Sequence, residues 1–366
     1  MKQAARVWNQ TLHGALIKYG CVQSQNDQCL YILREGDKVC YLEVHVDDIL
    51  TATNKEEFSN HLMTNVGKEF ELKDLGIVKH YLGIDVTKDM NGNFLIGQPK
   101  FIDKIVTEAG LEDAKSSKFP VDTGYYKIKD EILLESNDEY RKLIGMLLYL
   151  TTNSRPDIAA SVSMLSQKVS TPTRTDLNEV KRLIRYLKGT RNMKLSMSDQ
   201  GKEEKLHAYS DANWAEDQKD RKSNSGFFCS INGGALSWSC RKQGLVTLSS
   251  TEAEYVALSE TCKEIVWLKR LAKDVCIGKD EPIKIYTDSQ SSMKMIENGG
   301  SSNRTKHIDT KHHYIKNMND EKEIFLEYCQ TDENIADMMT KPLGGTKIEK
   351  LRLMAGVKGF AVEEGC

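Results

Sequence analysis

No run of this 366-residue sequence is apolar for long enough to cross a bilayer: the densest, Met146–Leu150, falls far short of the roughly 20 residues a spanning helix needs. The first residues, Met-Lys-Gln-Ala-Ala-Arg-Val-Trp, lack the apolar stretch of a secretion signal, so no membrane partner is expected. No two cysteines among 21, 29, 40, 229, 240, 262, 276, 329 and 366 lie three apart, which removes C-x-x-C metal and redox motifs. Their odd count and irregular spacing read as reduced thiols of a cytosolic or nuclear compartment. Internal repeats and low-complexity tracts are also missing. Nor does either charge prevail: 51 basic against 53 acidic residues exclude a uniformly basic nucleic-acid-binding domain, though not a local basic patch. With 39% hydrophobic and 28% charged residues the chain has globular composition, and its length suits two or three domains.

What is present alternates between strand and helix patterns. Val39–Val46 alternates as a strand, Asp47 and Asp48 follow, and Ile49–Thr53 reads as a second strand, predicting a hairpin with carboxylates at its tip. Asn54 is placed to cap a helix from about Lys55 to Val66. His80–Val86 and Asn93–Ile96 flank Asn91-Gly92, a hairpin turn signal. Residues 138–189 read as helices: one stripe of Tyr140, Ile144, Leu147 and Leu148, a second helix opened by Pro156, and a third over Asp176–Leu187 ending at Gly189. A polar break at Asp199–Lys202 marks a domain boundary. Beyond it, Leu206–Asp211, Gly226–Ile231, Ala235–Cys240 and Leu245–Ser249 read as four short strands, with Asn232-Gly233 turning between two of them. A long helix over about Thr251–Asp274 carries Leu258, Cys262, Ile265, Leu268 and Leu271 on one face. Strand Ile283–Asp288, helix Ser289–Asn298, strand Ile324–Tyr328 and helix Glu333–Thr340, stopped by Pro342, complete a mixed α/β (α+β) pattern.

Four carboxylates stand out within that pattern. Asp211 and Asp288 end near-identical strands, Ala-Tyr-Ser-Asp and Ile-Tyr-Thr-Asp. A lone acid at a strand end usually caps the next turn, but two in one domain meet at one sheet edge if their strands are neighbours. Glu254 sits in the first turn of the long helix, one position from its buried stripe, whereas Glu252 is better placed to interact with the helix N-terminus. Asp337 lies among Ile335, Met338 and Met339, where an acid needs a partner. Four converging carboxylates repel one another unless cations intervene. A pair of Mg²⁺ or Mn²⁺ ions, matched to hard oxygen ligands, would lower the pKa of an attacking water and stabilise a leaving 3′ oxygen.

Residues 206–343 carry Ala-Tyr-Ser-Asp-Ala-Asn-Trp-Ala, Arg-Lys-Ser-Asn-Ser-Gly-Phe, Leu-Ser-Ser-Thr-Glu-Ala-Glu-Tyr-Val-Ala-Leu, Tyr-Thr-Asp-Ser-Gln-Ser, Lys-His-Ile-Asp-Thr-Lys-His-His and Asn-Ile-Ala-Asp-Met-Met-Thr-Lys-Pro-Leu, in that order. In this the region resembles the ribonuclease H of copia-type LTR retrotransposon Pol polyproteins. The resemblance implies hydrolysis of the RNA strand of an RNA–DNA hybrid, with Asp211, Glu254, Asp288 and Asp337 as catalytic and metal-binding acids. It also implies a histidine near the metals, with His307 the first candidate and His312 and His313 its rivals. Arg221, Lys222, Arg241 and Lys242 are candidates for the hybrid's phosphates, or for a solvated face.

Upstream, His45-Val46-Asp47-Asp48-Ile49-Leu50 resembles the Tyr-Val-Asp-Asp hairpin of reverse transcriptases, with His45 where tyrosine is usual. Phe70–Val86, Tyr140–Ile158 and Arg185–Thr190 also resemble the same polyproteins. The upstream strand aspartate of the polymerase precedes the Lys-Gln-Ala segment in that family, and Asp27 and Asp37 do not match it. The resemblance therefore implies a truncated palm that does not polymerise DNA alone. It implies a partial reverse transcriptase palm and thumb over 1–115, a helical connection over 116–200, a ribonuclease H-like domain over 201–345 and a C-terminal tail over 346–366. The location implied is cytoplasmic, within a virus-like particle in an intact element, or nuclear. A catalytically inactive nucleic-acid-binding relic and a domesticated interaction protein remain alternatives.

Overall fold

The computed structural model describes residues 4–128, 132–197, 205–217, 219–277, 281–297 and 309–360. It divides into two compact units, Met1–Val78 with Val266–Gly278, and Lys79–Ile265 with Lys279–Cys366.

In the first unit, helix α1 (Ala4–Lys18) precedes the antiparallel sheet β1 (Val22–Gln23), β2 (Leu30–Glu35), β3 (Lys38–His45) and β4 (Asp48–Thr53), and helix α2 (Glu56–Val66) follows. The alternation of β3 sends Cys40, Leu42 and Val44 inward against Leu12 and Leu16 of α1 and Phe58 and Leu62 of α2. His45 pairs with Asp48, so the hairpin turns on Val46 and Asp47 alone. Val46 takes a left-handed φ of 54°, costly for a β-branched residue, and its carbonyl accepts the Trp8 indole N–H at 2.8 Å. Asn54 does not cap α2. Its side chain accepts from the Val39 N–H at 3.0 Å and donates to the Asp37 carbonyl at 2.7 Å, tying the end of β4 to the β2–β3 turn.

The second unit opens with β5 (His80–Tyr81), β6 (Ile84–Lys88) and β7 (Phe94–Gly97). The expected single strand over His80–Val86 is two, because Leu82 and Gly83 both take positive φ and reverse the chain. Helices α3 (Pro99–Glu108), α4 (Asp138–Asn153), α5 (Ala159–Ser166) and α6 (Arg174–Gly189) share one core of Ile105, Tyr140, Leu143, Leu147, Leu183 and their neighbours. Leu148 is not in it: the buried stripe of α4 runs through Leu143 instead, and Leu148 is exposed. Helix α6 begins with a reciprocal capping box between Thr173 and Asp176, a motif in which the cap alone contributes about 1 kcal/mol. The Asp199–Lys202 break lies outside the described residues.

Strand β8 (Met193–Ser196) joins β5–β7 in a sheet of order β8-β7-β6-β5, which a last strand of the chain completes beside β8. A second five-stranded sheet is built from β9 (His207–Asn213), β10 (Asn224–Ile231) and β11 (Gly234–Lys242), then, after helix α7 (Ser250–Asp274), β12 (Ile283–Thr287). Helices α8 (Gln290–Glu297) and α9 (Asp309–Asp320) precede its last strand, β13 (Ile324–Tyr328). The order β11-β10-β9-β12-β13, with the first three strands antiparallel and the last two parallel to β9, is the ribonuclease H-like sheet. Asn232 and Gly233 both have positive φ, as the two-residue β10–β11 turn demands. Leu245–Ser249 is a loop, not a fourth strand. Its polar groups go to side chains: the Thr247 carbonyl accepts from Trp214 and the Leu248 N–H donates to Glu252. A short 3-10 helix, Ile335–Met339, then leads to helix α10 (Gly345–Met354) and strand β14 (Val357–Gly359), which pairs with β8.

Candidate metal centre

Register brings the two strand-end aspartates together. Tyr209 of β9 stands beside Tyr286 of β12 in parallel pairing, and their rings stack with centroids 4.8 Å apart. Two residues on, on the same face, come Asp211 and Asp288. Helix α7 packs on the opposite face, where Ala253 and Ala257 meet Ala212 and the Thr261 hydroxyl donates to Ser210 Oγ at 3.0 Å. These small contacts let the first turn of α7 reach the sheet end. Ligand oxygens of Asp211, Glu254 and Asp288 there lie within 4.8 Å of one another.

The two glutamates of that turn have different duties. Glu252 accepts from the Leu248 N–H at 2.7 Å, and Ser249 Oγ accepts from the Glu252 N–H at 3.2 Å, a reciprocal helix start. Glu254 is aimed at the aspartates instead, and its Oε2 is buried with no hydrogen-bond partner. Burial, then repulsion from Asp211 and Asp288, pushes the Glu254 carboxyl up to about 9. Burial likewise lifts Asp211 to about 6, against the pull of Lys341 and helped by the charge of Asp337. An all-oxygen donor set, an orphaned buried carboxylate oxygen and raised carboxyl pKa values are what a divalent cation would satisfy, so these residues fit one.

Asp337 is placed by Asn334. That side chain caps the 3-10 helix at the Ala336 N–H, 3.1 Å, and its amide donates to the Ser210 carbonyl at 3.0 Å, fixing the helix over β9. The helix can come this close because residue 226, opposite Asp211 on β10, is glycine: a Cβ there would lie 2.6 Å from both Met339 Cβ and Thr340 Cγ2. Asp337 is not one of the three converging ligands. It is fully buried and ion-paired to Lys341 at 2.6 Å and Lys347 at 2.5 Å. Lys341 also lies 3.6 Å from Asp211 Oδ2, the oxygen that accepts the Thr340 hydroxyl. Thr331 donates to Asp288 Oδ2 at 2.7 Å.

Of the other candidates, His307 and the side chain of His312 lie outside the described residues, and His313 is exposed on α9. Arg221 and Arg241 are exposed and Lys222 half-buried. Lys242 has its ammonium committed within the chain, 2.6 Å from Asp217 and 2.8 Å from Asp220. Asp47 and Asp48 are exposed at their hairpin tip, and among the described residues they belong to no cluster of three ligands. Sequence reasoning missed Lys341, Lys347, Thr340 and Gly226. The i,i+4 spacing of Asp337 and Lys341 was the available signal.

Among the described residues no helix is long and apolar enough to cross a membrane, and the eight cysteines there are all unbonded. The reverse transcriptase (RNA-dependent DNA polymerase) family matches residues 1–123. The retrovirus-related Pol polyprotein from transposon TNT 1-94 of Nicotiana tabacum is 31% identical over 98% of this chain and 27% of its own length. That from transposon RE1 of Arabidopsis thaliana is 33% identical over 98% of this chain and 24% of its own. The chain thus spans about a quarter of the length of these relatives. A putative transposon Ty5-1 protein of Saccharomyces cerevisiae is 30% identical over 72% of this chain and 86% of its own length. With a ribonuclease H-like sheet behind a reverse transcriptase segment, and relatives of this kind along nearly its whole length, the chain belongs to the copia-type retrotransposon Pol polyprotein family.

Proposed function

We propose that this chain is a ribonuclease H-type endonuclease that hydrolyses the RNA strand of RNA–DNA hybrids with Mg²⁺ or Mn²⁺. The observation that carries the reading is the convergence of Asp211, Glu254 and Asp288 from two strands and a helix to within 4.8 Å. These three would hold one ion, and Asp211 with Asp337 a second. Bound there, the ions would lower the pKa of the attacking water and stabilise the leaving 3′ oxygen. Thr340 and Thr331 hold Asp211 and Asp288 in position before substrate arrives. Burial of Asp211 and Asp337 keeps competing water away and strengthens every charge interaction at the site. Arg221, Lys222 and Arg241 are assigned to hybrid phosphates, while Lys242 braces the loop that presents Arg221 and Lys222. The RNA strand is distinguished by its 2′-OH.

The test is cleavage of labelled RNA annealed to DNA, with and without Mg²⁺. Shortened RNA in Mg²⁺ alone is expected. One observation favours a second reading, a binding relic: two lysines already neutralise Asp337. Hybrid retained but uncut would select that reading.

Stability gives a separate check. Folded Asp211 and Glu254 hold protons that the unfolded chain releases above the ordinary carboxylate range. Their contribution is therefore greatest at acid pH and is lost as pH rises through about 6 and about 9. In chelator, the melting temperature should fall over that interval, less steeply in Glu254→Gln. Mg²⁺ should raise it most at the alkaline end, where both acids are ionised. A Mg²⁺ increment that is nil or independent of pH would count against the site.

Asp47 and Asp48 are not expected to extend a primer by themselves, because two-metal nucleotidyl transfer needs a further carboxylate from another strand. Extension on a poly(rA) template by the purified chain, lost in Asp47→Asn, would refute this.

A further inference from the structure

The ammonium of Lys341 stands between two carboxylates of the site, 2.6 Å from Asp337 Oδ1 and 3.6 Å from Asp211 Oδ2. Lys347 closes the far side of Asp337, 2.5 Å from Oδ2, and does not share Asp211. Resting on the metal reading above, we propose that Lys341 is a built-in competitor for the second divalent ion, filling the place between Asp211 and Asp337 until that ion displaces it.

Charge makes the competition concrete. Once ionised, Asp211, Glu254, Asp288 and Asp337 carry four negative charges, and Lys341 and Lys347 return two positive ones. One divalent cation balances what remains. A second overcharges the site unless a lysine leaves or an anion arrives with it, and the anion that arrives in the reaction is a backbone phosphate. Lys341 is equipped to leave: it is a point charge on a flexible stem, its side chain is 28% exposed, and Lys347 can keep Asp337 neutralised while it moves. Asp211, Glu254 and Asp288 would thus hold a first ion without substrate, and Lys341 would give up its place between Asp211 and Asp337 only when substrate phosphate offsets a second.

Manganese titration of the full chain without nucleic acid reads this directly, with free Mn²⁺ followed by electron paramagnetic resonance. Wild type is expected to take up one ion strongly and a second at least about tenfold more weakly, a difference within reach of one displaced ion pair in a buried setting. Lys341→Gln should tighten the second ion by about tenfold, while Lys341→Arg, which keeps the charge, should leave it weak. Lys347→Gln should change it less than Lys341→Gln does. Two ions of equal affinity in wild type, a measurement needing no variant, overturn the proposal, as does a Lys341→Gln titration that matches wild type. Failure of the underlying reading looks different: no Mn²⁺ uptake by any form, or uptake that survives Asp211→Asn unchanged, removes the metal centre itself.

Discussion

Asp211→Asn is expected to lower the rate of hybrid cleavage by about a thousandfold or more while leaving the protein folded and, in chelator, at least as stable as wild type. The size follows from the proposed role of Asp211, a ligand that two ions would share: about 4 kcal/mol of transition-state stabilisation corresponds to a thousandfold in rate. The retained stability follows from the same buried geometry. Asparagine keeps the shape and can still accept from Thr340, but it removes one of three acids packed within 4.8 Å. Burial and repulsion already raise the Asp211 carboxyl to about 6, so the metal-free fold carries a cost that the neutral amide relieves. Cleavage assays and thermal melts on one preparation read both halves. Cleavage within a few-fold of wild type would place the chemistry elsewhere. A large fall in melting temperature in chelator would mean that Asp211 is structural.

The sheet end was legible because strand periodicity is strict. Tyr-Ser-Asp and Tyr-Thr-Asp each put the acid on the face of its tyrosine, and parallel pairing of Tyr209 with Tyr286 brings the acids into register. Glu254 was separable from Glu252 because helix starts have their own chemistry, which Glu252 performs. Asp337 was visible only as an acid in apolar company and through resemblance. Its lysines were not, because an Asp–Lys pair four apart is ordinary on exposed helices, and only burial makes it informative. Elsewhere long-range hydrogen bonds overrode local pattern. Leu245–Ser249 has a strand's composition, but the Thr247 carbonyl is taken by Trp214, 33 positions away. Asn54 has a cap's position, but the β2–β3 turn claims its amide. Nothing within either segment reports those partners.

Arg155 and Asp157 show how much a short motif can conceal. Ser-Arg-Pro-Asp-Ile reads as the opening of a helix, yet both charges are 1% exposed. The guanidinium forks onto the carboxylate, with Nε 2.8 Å from Oδ1 and Nη2 2.7 Å from Oδ2, and Nη2 also donates to Thr190 Oγ1 at 2.7 Å. The Tyr186 hydroxyl donates to Asp157 Oδ2 at 2.7 Å, and Arg352 of α10 donates to Tyr186 at 2.9 Å. Burial alone would raise the Asp157 carboxyl, but the charge and hydrogen bonds of Arg155 outweigh it and hold the group below the usual carboxylate range. The stability this contributes is present at neutral pH and lost as pH falls through that lowered value. Asp157→Ala should destabilise the chain by about 3–5 kcal/mol, because it strands a buried guanidinium. Adding Arg155→Met should recover part of the loss, since removing both charges ends the desolvation penalty that one alone suffers. Urea unfolding of the single and double variants reads the difference. A double variant no more stable than Asp157→Ala would mean that the fork's shape, rather than its charge balance, holds the α6 end to α10.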